Sequence, residues 1–104
     1  MVNQSVIETA KKYIQQIPAS MDLKKAYLFG SYAKGVENLD SDIDIALIFD
    51  ELNDSDKFDL QVQLMLLAAQ IDSRIEPHPI SKEDFDSSNP FAIEIKRTGI
   101  EIKS

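Results

Sequence analysis

Residues 43–49, IDIALIF, constrain this chain more than any other stretch. Six of the seven side chains are apolar, and a run of that length and composition is a strand buried on both faces. It is entered through Asp42 and carries Asp44 as its second residue. On a strand, residues two apart point to the same side, so Asp42 and Asp44 project together while Ile43 and Ile45 face the opposite layer. Two carboxylates that close repel each other unless a positive charge stands between them. A divalent cation supplies it, because hard oxygen ligands on a rigid element suit Mg²⁺. Two solvated acids at the mouth of a strand are the plainer alternative, with Asp40 and Ser41 as turn formers.

The remaining elements are arranged around that strand. Ser5-x-x-Glu8 reads as a capping box, followed by Val6, Ile7, Ala10, Tyr13, Ile14 and Ile17 at helical spacing up to Pro18. KKAYLF (24–29) reads as a strand ended by Gly30, and residues 31–34 as one helical turn before Gly35. The loop VENLDS leads into the central strand, and DELNDSD (50–56) leaves it. Phe58, Val62, Met65 and Ala69, with Leu66 beside them, mark a helix over 55–70. SRIEPHPI (73–80) is extended, and its prolines place it at a sheet edge. Ser81-x-x-Asp84 caps a short turn, Asn89-Pro90 starts a helix through FAIEIKR (91–97), and IEI after Gly99 reads as a last strand. The order α-β-(α)-β-α-β-α-β predicts an α/β (α+β) domain of two layers, with a mixed sheet of three to four strands and helices packed on it.

At 104 residues and 43% hydrophobic content, a single domain over 1–104 with a real core is expected. The absence of cysteine excludes disulfides, zinc-thiolate sites and thiol nucleophiles. No apolar run approaches ~18 residues and the N-terminus has no signal-like core, so no membrane role and a cytoplasmic location are expected. A net charge of −7 argues against direct nucleic-acid binding, which needs a basic surface, but not against a nucleotide whose charge a metal carries.

Gly30-Ser31 supplies the second half of a site. A strand that ends in Gly-Ser and turns into a helix presents backbone N–H groups and a hydroxyl to an anion, and Lys34 adds a positive charge one turn later. An anion cradle and paired acids on neighbouring strands describe a metal–polyphosphate site, which neither half specifies alone.

The stretch Phe29-Gly30-Ser31, a ten-residue spacer YAKGVENLDS, and Asp42-Ile43-Asp44-Ile45 resembles the minimal nucleotidyltransferases of the DNA polymerase β-like superfamily. The likeness extends over nearly the whole chain, to the closing IKRTGIEI. It implies the nucleotidyltransferase fold, with Asp42 and Asp44 holding two Mg²⁺ ions and Gly30, Ser31, Lys34 and Ser41 contacting the nucleotide. It also implies a third carboxylate, matched by position to Glu76, with Asp72 as the alternative; Glu76 would serve as metal ligand or general base. His78 shares the face of Glu76 and can touch nucleotide or substrate. The implied reaction transfers a nucleoside monophosphate, by default AMP from ATP, to a hydroxyl acceptor. Larger relatives continue into a substrate-binding domain, whereas minimal ones resemble antitoxins whose partner is an all-helical HEPN protein, usually a ribonuclease toxin. An acidic chain is compatible with such a basic partner. The rival reading is a catalytically weak nucleotide-binding subunit that neutralises its partner by complex formation, and a homo-oligomer is possible under either. A D-x-D phosphatase is disfavoured, since its acids follow an apolar strand and here they precede one.

Overall fold

The computed structural model describes residues 3–38 and 40–103; Leu39 of the expected VENLDS loop lies outside them. Helix α1 (Gln4–Gln16) and a 3₁₀ turn (Ala19–Met21) precede strand β1 (Leu23–Phe29), helix α2 (Ser31–Lys34) and strand β2 (Ile43–Phe49). Helix α3 (Asp54–Ile71), strand β3 (Ile75–Ser81), helices α4 (Lys82–Phe85) and α5 (Pro90–Thr98), and strand β4 (Ile100–Glu101) complete the chain. The sheet order is β3-β2-β1-β4, with β2 and β3 parallel and the other two pairings antiparallel. The mixed four-stranded sheet with packed helices is the expected fold class.

IDIALIF forms β2 over its full length, inside the sheet. Its alternation divides the core. Ile43, Ile45, Leu47 and Phe49 pack with Val6, Ala10 and Tyr13 of α1 and Leu64 and Ala68 of α3. Ala46 and Ile48 point the other way, onto Phe85 of α4 and Ala92 and Ile95 of α5. Helices therefore cover both faces of β2, and Asp44 sits on the α5 side, among the even-numbered residues. Burying an Ile or Leu of this strand contributes about 1.5–3 kcal/mol each, which fixes the register and with it the position of Asp44.

Strand β3 lies at the edge, as its prolines predict. Proline brings no N–H to the open side, and the Pro77 carbonyl accepts from Gln61 Nε2 of α3 at 3.0 Å. Ser81 Oγ accepts from the Asp84 N–H and Asn89 Oδ1 from the Phe91 N–H, the two caps expected there.

One expectation is corrected. The cap of α1 is Asn3 rather than Ser5: Asn3 Oδ1 accepts from the N–H groups of Ser5 and Val6, and the Ser5 hydroxyl donates to the same oxygen. The helix thus begins two residues earlier than the Ser-x-x-Glu pattern implies. In α3, the stripe of Phe58, Val62, Met65, Leu66 and Ala69 is exposed. The face that packs on the sheet is Leu60, Leu64, Leu67, Ala68 and Ile71. Residues 60–71 are apolar nearly all round, so two stripes at helical spacing compete, and the leucine-rich one takes the core.

Candidate active site

Gly30 ends β1 with φ 77° and ψ −153°, a conformation that L-residues other than glycine scarcely adopt. The pairing of Phe29 with Asp44 explains the other half of the requirement. A Cβ built on Gly30 would lie 2.5 Å from Asp44 Oδ2 and 3.3 Å from its Cγ. The carboxylate of Asp44 thus rests against the Gly30 backbone, where α2 begins. Gly30 is brought against Asp44, and Ser31 follows it as the first residue of α2.

Across the sheet, Asp44 pairs in parallel register with Glu76, and Ala46 with His78. Asp44, Glu76 and His78 each offer a ligand atom, all within 4.8 Å of one another. His78 Nε2 lies 3.2 Å from Asp44 Oδ1 and 3.9 Å from Glu76 Oε1. The tautomer with Nε2 protonated donates to Asp44 in this contact. Phe29 meets the His78 ring edge-on at 5.1 Å, and Phe91 of α5 lies 5.9 Å from it, so the imidazole has an aromatic back wall.

Asp42 stands just before β2 and is exposed. Asp42 acts on Glu76: the pull of its carboxyl towards a shared proton, followed by partial burial, raises the Glu76 pKa, while Asp44 and Asp42 add repulsion and His78 offsets part of it. Three carboxylates thus converge on one end of the β2–β3 pair, and the cluster favours a bound cation or proton.

The other candidates are placed differently. Lys34 forms an ion pair with Glu94 of α5, near the cradle but engaged elsewhere. Ser41 Oγ accepts from the Asn38 N–H and holds the loop before β2. Asp72 ends α3 in a two-pronged pair with Arg74, which also donates to the Tyr32 hydroxyl at 3.1 Å. Arg74 holds the Asp72 carboxyl below its usual range. Asp72 is committed to this ion pair, and Glu76 is the acid in the cluster. His78 is the residue that pattern alone underweighted. Its one signal was its place two residues beyond Glu76 on the same strand face.

Carboxylate oxygens beside an imidazole form a donor set for a divalent metal, and the Gly30-Ser31 turn beside Asp44 carries backbone N–H groups of the kind that hold a phosphate. The family model described as polymerase beta, nucleotidyltransferase, matches residues 8–104. No curated protein matches the chain. Among solved structures it is similar to a candidate nucleotidyltransferase from Sulfolobus solfataricus, at 21% identity and TM-score 0.64, covering 93% of this chain and 78% of that one. It is also similar to a toxin–antitoxin complex with AMP-PNP, at 25% identity and TM-score 0.61, covering 94% and 73%. A third likeness is to the complex of a tri-AMPylated Shewanella oneidensis HEPN toxin with an MNT antitoxin, at 23% identity and TM-score 0.55, covering 97% and 71%.

Proposed function

The chain belongs to the polymerase beta nucleotidyltransferase family, and we propose that it transfers AMP from ATP to a hydroxyl group of a partner protein. The observation that carries this reading is the convergence of Gly30, Asp44, Glu76 and His78 on one point of the sheet. Such a site needs both an anion cradle and a cation cage, and polyphosphate transfer uses both.

Asp42, Asp44 and Glu76 are the residues that would hold Mg²⁺, with two ions expected. Bound there, Mg²⁺ would neutralise triphosphate oxygens and lower the pKa of an acceptor hydroxyl. The rest is the work of this chain's own groups. The backbone at Gly30 and the Ser31 hydroxyl orient the triphosphate, and the missing side chain at Gly30 leaves room for the Asp44 carboxylate beside that turn. His78 fixes the rotamer of Asp44 through Nε2. Glu76 serves either as a metal ligand or as the general base that takes the proton of the acceptor hydroxyl. The acceptor oxygen forms its bond to the α-phosphorus as the bond to the pyrophosphate oxygen breaks, so the products are the AMP-modified acceptor and pyrophosphate.

An all-helical HEPN protein is the proposed partner, and this chain the antitoxin that modifies it. The relatives solved as toxin–antitoxin complexes, one with AMP-PNP and one with an AMPylated toxin, support that reading. Among the described residues no helix is long and apolar enough to cross a membrane, in keeping with a partner met in solution. The test is transfer of label from α-phosphate-labelled ATP to a co-purified helical partner, with pyrophosphate as second product.

A further inference from the structure

We propose that the outward face of α3 is a self-complementary dimer surface, on which a second copy of this chain packs its own α3 antiparallel. Phe58, Val62, Met65 and Leu66 are 74%, 40%, 52% and 61% exposed, and Ala69 is exposed with them. Positions 58, 62, 65 and 69 are spaced four, three and four residues apart, the spacing of a helix–helix seam. Laid antiparallel about a two-fold axis at the level of Gln63 and Leu64, the seam sets Phe58 opposite Ala69 of the second copy and Val62 opposite its Met65. The largest side chain then meets the smallest, and the pairing is the same on both sides of the axis, as an isologous contact requires.

Charge selects this direction. Every charged residue of α3 lies in 54–59 (Asp54, Asp56, Lys57 and Asp59), and none lies in 60–71. An antiparallel pair places the acidic third of each helix against the uncharged third of the other. A parallel pair would stack acid on acid. The face is on the side of the sheet opposite Asp44, because α3 packs with Ile43, Ile45 and Leu47. Dimerisation therefore leaves both Asp44–Glu76–His78 sites open, and the inference stands apart from the chemistry proposed for them. Covering these side chains on both copies buries on the order of 1,000 Å², the lower bound of a specific interface, so the dimer is weak and concentration-dependent. With a net charge of −7 on each copy, added salt strengthens it by screening the repulsion. Docking of a basic polypeptide on the same face would respond in the opposite direction.

Sedimentation equilibrium over about 10 μM to 1 mM, the range an interface of this size requires, tests the proposal. The wild-type mass should rise from 11.7 kDa towards twice that value, more so at high salt. Val62→Asp should remain monomeric with an unchanged helical circular dichroism spectrum. Because the chain has no cysteine, Val62→Cys mixed with Met65→Cys should cross-link on mild oxidation more readily than Val62→Cys alone. A monomer at every concentration would overturn the proposal and leave the face to a different polypeptide. A dimer indifferent to Val62→Asp, or Val62→Cys cross-linking best with itself, would overturn it as well.

Discussion

Gly30 and Asp44 share a space that holds only one side chain: a Cβ on Gly30 would lie 2.5 Å from Asp44 Oδ2. The two residues end one strand and begin its neighbour, so a glycine turn and a strand acid form one unit. A close approach and a positive φ act together at Gly30, and either alone would disfavour replacement.

Gly30→Ala is expected to cost about 1–3 kcal/mol of stability through backbone strain alone. It should also push the Asp44 carboxylate out of the site and abolish nucleotide transfer. Chemical denaturation checks the first part and labelled-ATP transfer the second. Gly35→Asn is the control. Gly35 has φ 73° and ψ 24°, a left-handed cap that Asn tolerates, so both stability and transfer should be nearly retained.

Glu76 titrates above its ordinary value of 4.5, chiefly because the neighbouring Asp42 carboxyl favours a shared proton. A carboxyl whose pKa is raised by folding binds its proton more tightly in the folded state, so its contribution falls as pH rises from the unfolded pKa through the folded one. At neutral pH the full cost is present. Glu76→Gln should therefore melt higher than wild type at pH 7 in chelator, by a margin that closes as pH drops below 4.5. Glu76 is half exposed, so the margin is small. In Mn²⁺ the order should reverse, because wild type gains more from the ion. A differential scanning series in pH and Mn²⁺ reads both effects.

His78→Ala removes the partner 3.2 Å from Asp44 Oδ1. Loss of a group that orients a metal ligand typically costs about 10–100-fold in metal affinity or activity. Mn²⁺ titration should show a loss in that range with the fold intact. Unchanged affinity would reduce His78 to packing against Phe29 and Phe91.

Lys34 is held by Glu94, which keeps the Glu94 carboxyl below its usual range. Glu94→Gln should free the ammonium for the nucleotide and tighten ATP binding roughly two- to fivefold, the modest scale of an exposed pair. Lys34→Ala should weaken binding by a similar factor. Calorimetry with ATP and Mg²⁺ distinguishes the two.

What could be read from the sequence follows a physical division. Strand β2, the Gly30 turn and the Asn89-Pro90 start of α5 are local patterns with one dominant solution each, and they appear where the residues put them. The α1 cap was misplaced because Asn3 and Ser5 both fit an N-terminus, and only the geometry shows which oxygen takes the free N–H groups. Which face of α3 is covered cannot be read locally, because its two apolar stripes have the same period and the sheet rather than the sequence decides between them. The contact of His78 with Asp44 depends on the parallel register of β2 and β3, which no local pattern encodes. The same is true of the Lys34–Glu94 pair, which joins α2 to α5 across 60 residues of chain.

The central claim is that Asp42, Asp44 and Glu76 serve nucleotide transfer, and the most direct measurement is label transfer from α-phosphate-labelled ATP in Mg²⁺. The acceptor is the helical protein that co-purifies with the chain. Wild type should label that protein and release pyrophosphate, while Asp42→Asn/Asp44→Asn should bind it without labelling it. An unlabelled partner with wild type, held as tightly by the double variant, would contradict the account and leave a subunit that acts by binding alone.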